Sequence, residues 1–322
     1  MKRFVKALGA AMLMTTLVGC GNAQDEIPKV GIIQYAEHPA LDETYKGFVS
    51  GLEEAGYKDD KIVIDYKNAQ QDQSNCKTIS NTFVNDNVDL IFAIATPSAQ
   101  VAANETKDIP VVVSAVTDPK TSGLVKSNEN PGGNVTGTSD LTPIKAQLNL
   151  LTQLLPDAKK VAILYCNAED NSIFQANVAK KEGKKLGLDM REATVTDSNQ
   201  IQQVVESLIG KVDAIYIPTD NLMAEGMSTI SQVANENNLP CIVGEKGFIK
   251  NGGLATYGLD YFELGKISGK QAAKIIEGKD PAKMPIQYLP EEQCDLTINK
   301  KVANQLGIKI PKELAEKAEI VE

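Results

Sequence analysis

The chain repeats one pattern of short β-branched segments and longer helical segments twice after residue 28. Residues 29–32 match residues 160–163 at an offset of 131. Further on, residues 109–110 match residues 239–240 at an offset of 130. Strand and helix patterns that alternate in this way are typical of parallel α/β structure. The repeat therefore predicts an α/β protein of two doubly wound, Rossmann-like lobes, each with a parallel sheet covered on both faces by helices.

The two halves of the repeat show the same order of strand and helix patterns. The predicted strands are residues 29–35, 61–66, 88–95, 110–116, 160–165, 188–195, 212–218 and 240–244. The predicted helices lie near residues 41–56, 72–86, 97–106, 170–186, 198–209 and 222–237.

The chain beyond residue 258 is too short for a third lobe. Two helical patterns, at residues 261–278 and 299–319, are interpreted as covering helices of the N-terminal and the C-terminal lobe, respectively. The lobes are predicted to comprise residues 29–139 with 259–286, and residues 140–258 with 287–322. The chain would then cross between the lobes near residues 140, 258 and 287. Three crossovers form a hinge, and two lobes on a hinge enclose a cleft.

The N-terminal segment predicts export and a lipid anchor. Residues 1–19 begin with basic side chains and continue into the uncharged stretch 7–18, which is shorter than the roughly 20 residues of a membrane-spanning helix. They are therefore interpreted as a signal peptide. Residues 17–20 (LVGC) resemble a lipobox, so Cys20 is predicted to carry a lipid and residues 20–28 to form a linker; the alternative is an ordinary secretory signal with an incidental Cys. The anchored protein is expected on the outer face of the bacterial cytoplasmic membrane, on the periplasmic side in a Gram-negative host.

Composition argues against several classes of function. The chain has 33 Lys and Arg against 42 Asp and Glu, a net charge of -9 without a basic block, so nucleic acid is not expected as a partner. His38 is the only histidine, so no metal site and no cofactor are predicted. A G-x-S-x-G nucleophile elbow is absent, so an enzyme is not expected. Arg occurs only at Arg3 and Arg191, so a ligand carboxylate must be bound without a bidentate Arg side chain. The chain is expected to be a monomer.

Ligands of open parallel sheets bind beyond the carboxyl ends of the strands. In the first lobe these positions offer hydroxyl groups, a ring and helix N-terminal N–H groups, whereas in the second lobe they offer carboxylates and amides. The candidates in the first lobe are Gln34, Tyr35, His38, Ala95, Thr96, Ser98, Ser114 and Val116. The candidates in the second lobe are Asn167, Asn171, Ser172, Asp220, Asn221 and Glu245.

This asymmetry predicts a zwitterionic ligand. Thr96, Ser98 and the N-terminus of the helix that starts there can bind a carboxylate without Arg. Asp220 and Glu245 can bind the ammonium group. A purely structural role is the alternative for Ser98 and Asp220, which stand where helix caps belong, and for His38, which can stabilise its loop.

Six segments together resemble a known family. They are residues 34–42 (QYAEHPALD), 89–100 (DLIFAIATPSAQ), 110–119 (PVVVSAVTDP), 132–140 (GGNVTGTSD), 215–221 (IYIPTDN) and 253–261 (GLATYGLDY). Over residues 29–320 the chain resembles the lipoprotein substrate-binding components of ABC transporters whose characterised members bind aromatic amino acids, tryptophan in particular. The resemblance implies a periplasmic-binding-protein fold of type I, an amino acid such as Trp, Phe or Tyr in the cleft, and a permease with its ATPase as partners.

The resemblance also implies roles for particular residues. Residues 167–172 would contact the ligand backbone from the second lobe. The ligand ring would lie near Tyr35, His38, Leu41 and Val116. Asp260, in the last of the six segments, is counted among the ligand-binding candidates.

Two alternatives keep the same fold. One is a protein that binds a sugar, a nucleoside or another small solute, although a chain without Trp is less suited to sandwich a sugar ring. The other is an accessory lipoprotein of a sensor. A neighbouring gene pair for a permease and an ATPase would favour the importer.

Overall fold

The structure, a computed structural model, describes residues 27–322. Two sheets, of six and seven strands, form the two lobes. Within the described range, none of the helices has the length and apolar character that a membrane span requires. The predicted signal peptide and Cys20 lie outside the described residues.

The N-terminal lobe begins as an alternation of strands and helices. Its elements are β1 (Lys29–Gln34), α1 (Pro39–Glu54), β2 (Val63–Asn68), α2 (Gln73–Asn85), β3 (Leu90–Ile94), α3 (Thr96–Glu105), β4 (Val111–Val116) and β5 (Val135–Ser139). β1 pairs in parallel with β2 and β3, and β4 pairs in parallel with β3 and β5. The strands β1, β3, β4 and β5 are buried almost throughout, which explains their near-continuous apolar sequences.

The C-terminal lobe repeats this alternation. Its elements are α4 (Ile144–Leu154), β6 (Lys160–Cys166), α5 (Asp170–Lys185), β7 (Asp189–Val195), α6 (Ile201–Leu208), β8 (Ala214–Ile217), α7 (Asn221–Glu236), β9 (Cys241–Val243), α8 (Lys246–Lys250) and β10 (Ala255–Gly258). Alternate residues of β6 enter two different apolar clusters, Val161 and Ile163 in one and Ala162 and Leu164 in the other. Since successive side chains of a strand point to opposite faces, this sheet is buried on both sides, as predicted.

After β10 the chain returns to both lobes. The helix α9 (Tyr261–Ile276) packs along α1 and over β4 and β5. The short strand β11 (Gln287–Tyr288) pairs with β5 in the first sheet. The remaining elements belong to the second lobe and are β12 (Asp295–Asn299), α10 (Lys300–Gln305), α11 (Lys312–Ala315) and β13 (Glu319–Val321).

The boundary predicted at residue 287 differs from the structure. Gln287 pairs with Thr138 and Tyr288 pairs with Ser139, so the chain leaves the first sheet only after Tyr288. A two-residue strand is too short to give a period-two pattern, and the sequence therefore did not reveal it.

The single covering helix predicted at residues 299–319 is wrong. α10 ends at Gln305, Gly307 adopts a φ of +65°, and Pro311 precedes α11. A left-handed Gly and a Pro both interrupt a helix, so the segment forms two short helices and the strand β13 instead.

Glycines allow α1 and α9 to pack backbone against backbone. A Cβ atom at Gly265 would lie 2.0 Å from the carbonyl oxygen of Thr44, and a Cβ atom at Gly47 would lie 1.9 Å from that of Phe262. Such a distance is far below van der Waals contact. The pair of helices therefore fixes the start of α9, where Tyr261 lies, against the N-terminal lobe.

We expect Gly265→Ala to lower the free energy of unfolding by about 1–3 kcal/mol, because the added methyl group forces the two helices apart. Urea unfolding of the ligand-free protein measures the effect. Gly133→Ala is the control, since nothing lies within 4 Å of a Cβ atom there. Equal stability of the two variants would show that the helix pair can separate without cost.

Candidate functional site

A cavity lies between the lobes, at the carboxyl ends of their strands. The N-terminal lobe and the crossovers contribute His38, Leu41, Ala115, Thr117, Asp140 and Tyr261. The C-terminal lobe contributes Asn171, Thr219, Asp220, Asn221 and Glu245. The site thus forms where an open parallel sheet is expected to bind its ligand.

The start of α1 presents His38 to this cavity. Pro39 occupies the first turn of α1, where its missing N–H group costs nothing, and the side chain of His38 makes no capping hydrogen bond. The ring is therefore free to turn toward the other lobe, where its Nε2 lies 3.3 Å from Oδ1 of Asn221. Burial lowers the pKa of His38 to about 4, so the ring is neutral at physiological pH.

Two further hydrogen bonds join the lobes. Nε2 of Gln100 donates to Oδ2 of Asp170 at 2.8 Å. Nε2 of Gln175 donates to Oγ1 of Thr117 at 3.2 Å. Together with the contact of His38, these bonds hold the lobes in a closed arrangement.

Asp220 is a helix cap whose two carboxylate oxygens both have protein partners. Oδ1 accepts a hydrogen bond from the backbone N–H of Met223 at 2.8 Å. Oδ2 accepts one from the backbone N–H of Cys166 at 2.6 Å, and the hydroxyl of Ser172 also bonds to this carboxylate. The capping alternative for Asp220 therefore accounts for its geometry, and its carboxylate ties the end of β6 to the start of α7.

Glu169 lies behind Asp220 and organises the amide groups of the second lobe. Its carboxylate accepts hydrogen bonds from Nδ2 of Asn221 at 2.6 Å, from Nδ2 of Asn171 at 3.2 Å and from the backbone N–H of Leu222 at 3.2 Å. Burial and the neighbouring charge of Asp220 raise the pKa of Glu169. Glu169 thus fixes which atoms of the two asparagines face the cavity.

Asp140 stands at the first crossover with one carboxylate oxygen unused. The hydroxyl of Tyr261 donates to Oδ2 of Asp140 at 2.8 Å, and the hydroxyl of Thr117 also bonds to this carboxylate. Among residues 27–322, no group donates to Oδ1, although this oxygen is buried. Burial raises the pKa of Asp140 to about 6. An acceptor left without a donor in a buried place indicates a partner from outside the chain.

Glu245 is a second buried carboxylate with an unused acceptor. It is 3% exposed, and within the described chain its carboxylate receives no hydrogen bond. Burial, reinforced by the charge of Asp140, raises the pKa of Glu245 to about 8. The adjacent Lys246 does not neutralise it, because the ammonium group of Lys246 pairs with Asp295 and Glu319.

The wall of the cavity carries acidic groups and no cationic side chain. Lys and Arg are absent from the described residues that line it. Two buried carboxylates close to each other without a counter-charge are costly for the protein. Among residues 27–322, no three His, Cys, Asp or Glu side chains are grouped so that they could hold a metal ion. The geometry therefore suits an organic ligand with a positive group.

The structure brings together six of the candidates chosen from the sequence and leaves ten off the cavity wall. The six are His38, Leu41, Asn171, Asp220, Asn221 and Glu245. The ten are Gln34, Tyr35, Ala95, Thr96, Ser98, Ser114, Val116, Asn167, Ser172 and Asp260.

Local hydrogen bonds explain several of these ten positions. The hydroxyl of Ser98 donates to the carbonyl oxygens of Ile94 and Ala95, one turn back in its own helix. The hydroxyl of Tyr35 donates to the carbonyl oxygen of Gln71. The carboxylate of Asp260 caps α9. The carboxylate site predicted at Thr96 and Ser98 is therefore not part of this cavity.

The others are buried inside the fold or lie at its surface. The amide of Gln34 donates to the carbonyl oxygen of Ala36 and to Asp42, and the hydroxyl of Ser114 pairs with that of Thr138. Asn167 is exposed. The remaining members of this group, Ala95, Thr96, Val116 and Ser172, are buried.

Five wall residues were not among the candidates: Ala115, Thr117, Asp140, Thr219 and Tyr261. Asp140 and Tyr261 each stand where the chain crosses between the lobes, at the ends of the segments 132–140 and 253–261. A hinge necessarily borders the cleft that it closes, so the polar residues of the predicted crossovers were a usable signal. Ala115 carries no chemical signal in its side chain.

A two-lobed fold with a small closed cavity at the hinge defines a solute-binding protein. The sequence profile of a family described as ABC transporter substrate binding protein matches residues 29–322. The chain therefore belongs to the family of ABC transporter substrate-binding proteins, which are extracytoplasmic and work with an ABC transporter. The predicted family and the predicted type I fold are confirmed.

Three relatives illustrate the similarity. A tyrosine-binding protein of Clostridioides difficile (strain R20291) is 43% identical over 307 residues, which are 91% of this chain and 89% of that protein. An ABC domain from Streptococcus pneumonia, crystallised in complex with L-Trp, is 39% identical with a TM-score of 0.89 over 92% of this chain and 99% of that chain. The ligand-free, open structure of a substrate-binding protein with adhesive properties from Clostridium difficile is 42% identical with a TM-score of 0.72 over 92% of this chain and 99% of that chain.

The two TM-scores distinguish between arrangements of the lobes. The two solved structures are similarly identical in sequence to this chain, yet the complex with L-Trp superimposes better than the ligand-free, open structure. The difference agrees with the hydrogen bonds that cross the cleft. The lobes of this chain therefore stand nearer to the arrangement of the ligand-bound relative.

Proposed function

We propose that this protein is the lipid-anchored, non-enzymatic binding component of an ABC importer and that it encloses one aromatic amino acid in the cavity between its lobes. The observation that carries the proposal is the pair of buried carboxylates, Asp140 and Glu245, which have an unused acceptor and no cation beside them. An amino acid supplies the missing positive charge through its ammonium group.

The ammonium group is assigned to Asp140 and Glu245 rather than to Asp220. Both oxygens of Asp220 already accept hydrogen bonds from backbone N–H groups, so a ligand there would have to compete with a helix cap. Asp140 and Glu245 can each accept a charge-assisted hydrogen bond without losing a protein partner. A neutral solute such as a sugar offers no positive group, so Glu245 would have to bind a proton to remain buried.

The apolar part of the cavity suits the side chain of an amino acid. Leu41 and Ala115 supply apolar wall for a side chain. Relatives described as tyrosine-binding or crystallised with L-Trp support an aromatic one.

A thermal-shift screen of residues 20–322 against the amino acids tests the proposal. A ligand at 100 times its Kd stabilises the folded state by about 2.7 kcal/mol, so L-Tyr or L-Trp should raise the melting temperature well above the other amino acids. Simple sugars and nucleosides serve as controls. A panel in which only sugars or nucleosides raise the melting temperature would refute an amino acid as the ligand.

We expect Cys20→Ser to release the protein from the membrane of its host. Residues 17–20 precede a polar linker, and the lipid predicted on the Cys20 thiol would hold the chain at the membrane. Partition of the full-length chain between detergent and aqueous phases measures the anchor. Ligand binding by the released protein is the control, and equal partition of the variant and the unchanged protein contradicts lipidation.

A further inference from the structure

The only histidine of the chain lines the cavity with a nitrogen that no protein group uses. Nε2 of His38 lies 3.3 Å from Oδ1 of Asn221, across the cleft. Within the described chain, Nδ1 of His38 is buried and has no hydrogen-bond partner. The question is whether this nitrogen donates or accepts.

The orientation of Asn221 answers that question. Nδ2 of Asn221 donates to Glu169 at 2.6 Å, so the atom that faces His38 is the amide oxygen. An amide oxygen only accepts, and Nε2 of His38 must therefore carry the hydrogen. Because burial keeps the ring neutral, with the pKa lowered to about 4, Nδ1 carries no hydrogen. The chain Glu169, Asn221, His38 thus fixes Nδ1 as a bare, buried acceptor.

Nδ1 of His38 has different neighbours from Asp140 and Glu245, the two carboxylates proposed to bind the ammonium group. The charge of Asp140 adds to the raised pKa of Glu245, and both carboxylates act on Tyr261 at the hinge. His38 instead contacts Asn221, and the charged group that acts on it is Asp42. A single ligand can therefore bond to Nδ1 of His38 and to the carboxylates of Asp140 and Glu245 only if it has two separate hydrogen-bond donors.

We propose that Nδ1 of His38 accepts a hydrogen bond from the ring of the bound amino acid and thereby selects ligands with a ring donor over phenylalanine. This inference rests on the proposed function, since it requires an amino acid in the cavity. The phenol O–H of tyrosine and the indole N–H of tryptophan are the ring donors available among aromatic amino acids. A ligand without one would leave Nδ1 buried and unpaired, which is the usual way in which a polar site rejects an analogue.

The two relatives with a stated ligand agree with this selection. One is described as tyrosine-binding and the other was crystallised with L-Trp, and each of these ligands carries a donor on its ring. Leu41, which follows within the first turn of α1, adds apolar wall to the same cavity.

Matched ligand pairs test the proposal by calorimetry. L-Tyr is compared with L-Phe and O-methyl-L-tyrosine, and L-Trp is compared with 1-methyl-L-tryptophan. We expect the better of the two donor ligands to bind at least about tenfold more tightly than its analogues, and this ratio to fall below about threefold in His38→Leu. Tyr165→Phe is the matched control, because the hydroxyl of Tyr165 bonds to Glu192, away from the cavity wall, and the ratio should stay unchanged.

Nitrogen NMR of the single imidazole gives a second readout that does not depend on a variant that folds. In the complex, the ¹⁵N signals should show hydrogen on Nε2 and a hydrogen-bonded acceptor at Nδ1. The Nδ1 signal should move with a donor ligand and not with O-methyl-L-tyrosine.

The outcomes separate the two proposals. Donor ligands and analogues that bind within about threefold of each other in the unchanged protein overturn the role of His38 and leave the proposed function intact. A hydrogen on Nδ1 in the complex also overturns it. If no aromatic amino acid binds, both proposals fall.

Discussion

Glu245→Gln is expected to weaken binding of the amino acid by about one to two decades without lowering the stability of the ligand-free protein. A hydrogen bond to a charged group contributes about 1.5–3 kcal/mol, and the variant loses the charge that attracts the ammonium group. The unliganded fold loses nothing, because the carboxylate of Glu245 has no hydrogen-bond partner among the described residues. Calorimetry with L-Tyr and L-Trp measures the affinity, and urea unfolding without ligand measures the stability.

Asp220→Asn is the contrasting variant. Its amide keeps one acceptor, whereas Asp220 uses both oxygens to accept from Met223 and Cys166. We therefore expect a loss of stability of about 1 kcal/mol and little change in affinity. A weaker affinity in Asp220→Asn, together with unchanged affinity in Glu245→Gln, would move the ammonium site to Asp220.

The sequence predicted the strands and helices of the molecule better than the residues that line its cavity. Strands such as Val111–Val116 consist of buried β-branched residues, and their period and length are written in the sequence itself. The two-residue strand Gln287–Tyr288 has no such pattern. It forms because a strand already present in the first sheet offers an edge to it.

The site was predicted in part because strand ends mark where side chains converge. They do not tell which way each side chain turns. Ser98 stands at a strand end in the sequence, yet its hydroxyl bonds back to its own helix. Asp140 was missed because candidates were chosen at strand ends, whereas Asp140 borders the cleft at a crossover, near Glu245.

Closure of the ligand-free protein is expected to depend on pH. In the closed form the pKa of Glu245 rises from its usual value near 4.5 to about 8, because the carboxylate leaves water and approaches Asp140. In an open cleft it is solvated and keeps an ordinary pKa. The closed form therefore binds a proton that the open form lacks, and lower pH favours closure.

Other titratable groups that face the cavity limit the useful range. The pKa of His38 is lowered to about 4 in the closed form, so a ring that is protonated in the open form, below about pH 6.5, opposes closure. Asp140, with a pKa of about 6, favours closure only at lower pH, and Tyr261 stays protonated throughout. Between pH 8 and about 6.5 Glu245 changes the balance by up to about 1.4 kcal/mol for each pH unit, and Glu169, whose pKa is also raised to about 8, adds to this only as far as opening exposes it.

Small-angle scattering should show directly how closure of the lobes depends on pH. The ligand-free protein is expected to be open at pH 8, with a larger radius of gyration than at pH 6.5. A saturating amino acid should close it at both values, since the ammonium group replaces the proton as the partner of Glu245. Glu245→Gln should close more readily without ligand and lose the dependence on pH, because its amide is neutral throughout. If the radius of gyration changes with pH as much in Glu245→Gln as in the unchanged protein, another group titrates. The carboxylate of Glu245 then does not hold the lobes apart.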